Sequence, residues 1–447
     1  MIYIILFISL IFRLINLNQS FWLDEAISAL TAKASFPYQW YGIAGDFQPP
    51  LYYLILHLFM KLNIWNEWFL RIPSVLFGVF TVYIIYLIAN KLFNKKTALI
   101  SSLLLAISQF HIYYSQELRM YSLLALLTTL SMWFYIKKQW IRYIFAGIIG
   151  AYSSYMYFFI FFPQMLWILL FRNRKNMYPW IMSMVIILLS YLPWLPNLLK
   201  QLETSRMILS NLPQWRDLST LPLWKLFPQI FIKFTFGRIS FDNKFLYGLI
   251  FLILVLIFGY ILTSIKKDLD KKLFFVINWF LIPLIIICIV NLFVPIANVW
   301  RLIFLLPPFL IIISRLIDLH KYSFLFLILV VLISLTANFF YFLNEKYQRE
   351  NWRGLVSELD TNNDPVIFTV ENGFAPYTWY SKKKKVICGP LTLDKCTKSN
   401  NFYYISYLKD IFDKDNKVQQ TLSSRYLLVD IKNYQGVGFV YHYENSY

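Results

Sequence analysis

The sequence predicts a mainly α protein, a polytopic bundle of transmembrane helices followed by a small α/β domain. Three observations lead there. Of 447 residues, 59% are hydrophobic and only 15% charged, where a soluble domain carries about 25% charged residues. Apolar runs near the roughly 20 residues that cross a bilayer recur at 70–89, 182–198, 245–265, 273–292 and 324–343. Beyond residue 344 the runs shorten and become β-branched and aromatic. These divide the chain into a transmembrane domain, 1–344, and an extracytoplasmic domain, 345–447.

The first run, 1–17, lacks a basic leader and a small-residue cleavage site, so it is read as an uncleaved span. The net charge of +19 sits largely in short basic turns between runs: KLFNKK (91–96), KKQWIR (137–142), RNRK (172–175), KKDLDKK (266–272) and RLIDLHK (315–321). Such clusters mark cytoplasmic turns. The connections 18–68, 113–122, 157–164, 197–244 and 295–300 then lie outside, and the alternation gives about eleven spans. No nucleic-acid-binding signature accompanies the charge. QPPLYYLILHLFMKL (48–62) is short for a span, opens on two prolines, and is expected to lie flat at the interface.

In the last segment, ENWRGLVSEL places Trp352, Leu355, Val356 and Leu359 at helical spacing. DPVIFTV, FYYISYL, RYLLVDI and GVGFVYHYE are expected strands. Cys388 and Cys396 lie here, where an oxidising compartment permits but does not require a disulfide, and Cys288 is a small apolar residue within a span.

Ionised carboxylates at a bilayer need water or a task. FWLDEAISAL sets Asp24 and Glu25 just beyond the first span, and HIYYSQELRMYSL sets Glu117, Arg119 and Tyr121 at another outer turn. NVWRLIFLLPP starts a late span with Arg301 as its only charge. A carboxylate base with arginines at the membrane edge suits transfer of a sugar from a polyprenyl phosphate. The phosphate leaves as a stable anion, so no second, protonated carboxyl is required, in contrast to glycoside hydrolysis. The plain alternatives are a solvated Asp24–Glu25 loop, a helix cap at Ser115, and snorkelling at Arg119 and Arg301. His57 and His111 lack ligand spacing and are expected to be structural.

FWLDEA, PPLYYLILHLF, LRIPSVLFGVFTVYIIYLIANKLF and HIYYSQELRMYSLLALL, in that order, resemble membrane glycosyltransferases of the GT-C class, in the family-39 branch of protein O-mannosyltransferases and aminoarabinose transferases. VWRLIFLLPPFLIII and ENWRGLVSEL resemble later motifs of that branch. The resemblance implies an inverting glycosyltransferase using a polyprenyl-phosphate-linked sugar donor and an acceptor hydroxyl on a glycan, lipid or protein. It implies a multi-pass protein of the cytoplasmic membrane with its site on the outer face and no nucleic-acid partner. Asp24, Glu25 and Glu117 take the catalytic acidic positions, Arg119 and Arg301 the donor-phosphate positions, and Gln48, Gln116 and Tyr121 substrate positions. Gln48 stands where relatives often carry His or Lys, and Trp300-Arg301-Leu302 where they carry Arg-Tyr. No cofactor is implied beyond an optional divalent cation. A transporter or flippase of lipid-linked sugars, and a polymerase or ligase using a diphosphate donor, are the competing classes. No internal repeat favours the former.

Overall fold

The computed structural model describes residues 1–36, 38–171, 174–263 and 270–445. Arg172 and Asn173 of the third basic turn, and residues 266–269 of the fourth, lie outside the described residues.

Among the described residues six helices are long and apolar enough to cross a membrane: Glu67–Leu92, Lys175–Asn211, Lys244–Leu262, Lys271–Val290, Val299–Leu319 and Ser323–Leu343. Lys95–Ala106 and Gln109–Ser115, bent by 58° to each other, add a seventh when the pair is counted as one span. The other spans of the sequence reading fall on shorter helices, Ile2–Leu14, Tyr121–Lys137, Trp140–Ala151 and Tyr155–Leu170. At about 1.5 Å per residue, a 12- or 13-residue helix covers only about 20 Å of a core about 30 Å thick.

The bend is chemically supported. Breaking a helix frees carbonyls that lipid cannot satisfy. Arg13, fully buried in the first helix, donates to Ala106 O at 3.0 Å and contacts His111 Nδ1 at 2.7 Å, while Asn338 donates to Ile107 O at 2.7 Å. Ser115 bonds back to His111 O at 2.6 Å and does not cap the next helix, whose N-cap is Met120. Gly78 admits this packing, because a Cβ there would stand 2.2 Å from Ser115 Oγ.

The basic turns gather at one end. Asn94 and Lys96 meet Asp318, and Leu92, Lys138, Asn176 and Lys271 border one depression. The opposite end carries the α/β unit. Its sheet comprises β1 (Val366–Phe368), β2 (Ile387–Cys388), β3 (Asn401–Ile405), β4 (Leu427–Tyr434) and β5 (Gly438–Glu444), in the order β2-β1-β3-β5-β4. β1 runs parallel to β2 and β3, and β5 antiparallel to β3 and β4. Helix Trp352–Leu359 buries all four of its apolar positions against this sheet, and Cys388 and Cys396 form a disulfide.

The unit is tied to the helical body by polar contacts that cross the chain. Tyr380 Oη donates to Glu67 Oε1 at 2.8 Å and accepts from Phe21 N at 2.7 Å, and Arg353 meets Glu67 at 3.1 Å. Tyr380→Phe strands the Phe21 amide and weakens the Glu67 anchor, a loss of about 1–3 kcal/mol for buried polar groups left unpaired. A lowered thermal midpoint of the detergent-purified protein is the expected result; an unchanged midpoint would show the docking to rest on apolar contacts alone.

Candidate active site

The site is built on the short helix Leu23–Lys33, which leaves the first span at the sheet-bearing end. Its first turn holds both Asp24 and Glu25, but neighbouring helical positions point about 100° apart. Glu25 turns inward and is fully buried. One of its oxygens accepts from Arg71 Nε and Leu118 N, each at 2.8 Å; the other meets Arg71 Nη2 at 2.6 Å and lies 3.7 Å from Arg349 Nε. A carboxylate offers about four lone-pair sites, and these are taken. Burial pushes Glu25 up, but Arg349 and Arg71, with the hydrogen bonds from Arg71 and Leu118, hold it below the usual range. Glu25, expected among the catalytic carboxylates, thus has both oxygens engaged by the scaffold. Arg71 extends the anchor to the carbonyls of Leu17 and Gln19 at 2.7 and 2.6 Å.

Asp24 points the other way and keeps its side chain 31% exposed. Its nearest cation is Arg119, 3.9 Å away, which also donates to Asp46 at 3.2 Å and to Ser28 Oγ at 3.3 Å. Tyr53 donates a short hydrogen bond to Asp46. Partial burial raises the Asp24 carboxyl, Arg119 and Arg301 draw it down, and Asp46 adds repulsion, for a net upward shift. A reachable carboxylate with raised proton affinity is suited to a general base. Arg119, expected as a phosphate ligand, is largely committed to the two aspartates. Asp46 and Tyr53 are additions that sequence reading passed over, although Asp46 immediately precedes the FQPP turn.

Glu117 is fully buried, 3.4 Å from Arg349 Nη1, and its Oε1 has no hydrogen-bond partner among the described residues. Burial pushes it up to about 7, against the pull of Arg349 and with repulsion from Glu25. Arg349 also donates to the carbonyls of Tyr113 and Gln116 and stacks on the Tyr113 ring at 4.4 Å. This arginine comes from the link between the last span and the α/β unit. Gln116, expected to bind substrate, has its amide engaged within the protein: the nitrogen donates to Arg13 O and Ile15 O at 3.0 and 2.6 Å, and the oxygen accepts from Tyr341 Oη at 2.8 Å.

Beside this cluster lies a cavity of about 300 Å³, walled by Phe47, Gln48, Tyr121, Gln201, Trp215 and Arg301 among mostly apolar neighbours. Gln48 Oε1 is buried there without a partner among the described residues. Arg301 donates to the carbonyls of Pro295 and Ile296 at 3.4 and 3.2 Å, which leaves its remaining donors free of any carboxylate ion pair among the described residues. The charges of Asp24 and Arg301 act on each other and both act on the Tyr121 hydroxyl. Of the sequence-selected residues, Asp24, Arg119, Tyr121, Gln48 and Arg301 thus converge, Glu117 stands sealed behind them, and Glu25 and Gln116 belong to the scaffold. Among the described residues no group of three or more His, Cys, Asp or Glu side chains is placed to hold a metal ion.

The architecture matches solved membrane enzymes along nearly its full length. A crystal structure of ArnT from Cupriavidus metallidurans bound to undecaprenyl phosphate superposes with a TM-score of 0.59, covering 98% of this chain and 97% of that one at 11% identity. The fold is that of the GT-C glycosyltransferases. The archaeal oligosaccharyltransferase AglB from Archaeoglobus fulgidus, in complex with an inhibitory peptide and a dolichol-phosphate, shares this GT-C fold at a TM-score of 0.53 and 11% identity, over 98% of this chain and 74% of that one. The family model described as dolichyl-phosphate-mannose-protein mannosyltransferase matches residues 47–196. No curated protein matches the chain by sequence.

The buried Glu117 makes a pH-dependent contribution. Its carboxyl sits near 7 when folded and near 4.5 when free, so the folded state holds the proton longer and stability falls as pH rises between those values. Glu117→Gln removes this dependence. Thermal midpoints of the two proteins should coincide near pH 4.5 and differ by about a few degrees in favour of Gln at pH 8; parallel curves across that range would contradict the assignment.

Proposed function

We propose that the protein is an inverting glycosyltransferase that moves a sugar from a polyprenyl-phosphate donor to an acceptor hydroxyl at the outer face of the cytoplasmic membrane. The observation carrying this reading is the partly exposed Asp24 beside Arg119, next to a largely apolar cavity walled by Tyr121 and by Arg301, which is free of carboxylate partners among the described residues. The basic turns at the far end support the orientation, since they belong on the cytoplasmic side. The lipid phosphates bound by the GT-C-fold neighbours, undecaprenyl phosphate and dolichol-phosphate, support the lipid class.

In the proposed reaction the acceptor oxygen attacks the anomeric carbon as Asp24 takes the hydroxyl proton. The bond between that carbon and the phosphate oxygen breaks, and its electron pair leaves with the phosphate. A new glycosidic bond forms with inversion. Arg301 stabilises the departing phosphate, and the gain is greatest where water is excluded. Arg119 fixes Asp24 relative to Asp46 and tempers its proton affinity. Gln48 and Tyr121 offer an acceptor oxygen and a hydroxyl to the sugar or the phosphate. Glu117 and Arg349 hold the turn that carries Arg119 and Tyr121. A divalent cation, if used, would be offered the carboxylates of Asp24 and Asp46, and no step above requires one.

Asp24→Asn keeps the shape but cannot accept the proton. The expected outcome is a loss of transfer of about two to four orders of magnitude, the range of general-base catalysis, with an unchanged thermal midpoint; normal turnover by this folded variant would remove Asp24 from the chemistry. Arg301→Ala should raise the donor KM more than the acceptor KM in a donor titration with purified protein. Equal effects on the two would place Arg301 outside donor binding.

A further inference from the structure

A second cavity, of about 370 Å³, opens on the α/β unit between the loop after β3 and the β4–β5 hairpin. It is bordered by Tyr407, Lys409, Asp410, Asn433 and Phe439. Asn433 and Phe439 stand opposite each other across the hairpin, and Phe439 leaves 47% of its surface open. The side chains of Lys409, Asp410 and Asn433 have no hydrogen-bond or ion-pair partner among the described residues. The cavity therefore offers an aromatic face, an amide, a carboxylate and an ammonium, all unspent. This is a donor-and-acceptor set for a ring with several hydroxyls, each able to give and to take a hydrogen bond.

The position of this cavity ties it to the catalytic one. Tyr407, on its border, donates to Glu350 at 2.9 and 3.1 Å, and Glu350 also accepts from Trp352 Nε1 at 2.7 Å and from the Leu23 amide, one residue before Asp24. The charge of Asp24 acts on both Tyr407 and Glu350. On the flank, helix Lys409–Phe412 brings Phe412 against Trp215, which walls the donor cavity, with ring centroids 6.3 Å apart. One short helix thus separates the two cavities.

We infer that the groove between the β4–β5 hairpin and the loop at Tyr407 is the acceptor subsite, and that the acceptor it takes is a carbohydrate. This rests on the transferase reading above and adds to it the acceptor class. A sugar stacked on Phe439 and held by Asn433, Asp410 and Lys409 would extend over helix Lys409–Phe412, by the Phe412–Trp215 contact, toward the cavity that Arg301 lines.

The test is saturation-transfer NMR on the full-length protein in detergent, with maltotriose, mannotriose and chitotriose as probes. Wild type and Asp24→Asn should bind at least one of the three alike. The double variant Phe439→Ala, Asn433→Ala, altered only at exposed hairpin positions, should bind about tenfold more weakly, near 1.4 kcal/mol, with an unchanged thermal midpoint. Absence of binding by all three probes, or equal binding by the hairpin variant, overturns the inference. So does saturation transfer from a short peptide in place of the sugars. Because binding is read without turnover, an active Asp24→Asn protein would sink the transferase reading without altering this readout, and a failed groove would leave the Asp24 result standing.

Discussion

The charge network of Glu25, Arg71, Arg349 and Glu117 is the constraint on which the site depends. Four ionisable groups meet with almost no solvent, joined by contacts of 2.6 to 3.7 Å. Buried ions of this kind are poor sources of net stability, yet removal of one partner leaves an uncompensated charge and is costly. Their value lies in specificity. Arg71 is on the second span, Glu25 on the helix after the first, Glu117 on the turn after the bent span, and Arg349 on the link to the α/β unit. Arg71 and Arg349 together fix Glu25 among these pieces, while Glu117 leans on Arg349 alone and keeps one oxygen unpaired among the described residues. That arrangement turns Asp24 outward, because Glu25 must turn inward.

The same logic separates scaffold from chemistry. Charged groups whose hydrogen-bonding sites are filled by the protein, such as Glu25 and Arg71, have little left for a ligand. Those with unspent capacity, Asp24, Arg301 and the Gln48 oxygen, cluster by the apolar cavity that Arg301 lines. The α/β unit contributes to both classes: Arg349 closes the network behind the site, and Glu350 with Tyr407 braces the residue before Asp24. The unit is thereby part of the site's construction.

Much of this was legible in the sequence. Apolar runs located the long spans, since hydropathy measures the same burial that the bilayer enforces, and the helical spacing of Trp352, Leu355, Val356 and Leu359 identified the buried face of their helix. The Asp24–Glu25 pair drew attention because two adjacent carboxylates are conspicuous in an oily chain. Their different duties were not legible, because orientation is decided by Arg71, 46 residues away. A lone arginine at the entrance to an apolar run was the available signal. Gln116 was selected with its motif neighbours Arg119 and Tyr121, which do approach the site, whereas its own side chain points back to the first helix. Asp46 and Arg349 depend on contacts across 73 and 232 positions, which periodicity cannot supply. The bend between Ala106 and Gln109 was likewise hidden, since it is held by Arg13 and Asn338 from distant helices.

The proposed reaction requires lipid phosphate at Arg301, in the cavity that this residue lines, with Asp24 on the acceptor side of the sugar. A structure of the protein with a polyprenyl phosphate bound measures this directly. The predicted result is the phosphate within hydrogen-bond distance of Arg301, its chain along the apolar wall toward Leu198 and Val290. A phosphate seated among the lysines of the opposite end, or one that leaves Arg301 bonded only to Pro295 and Ile296, would contradict it.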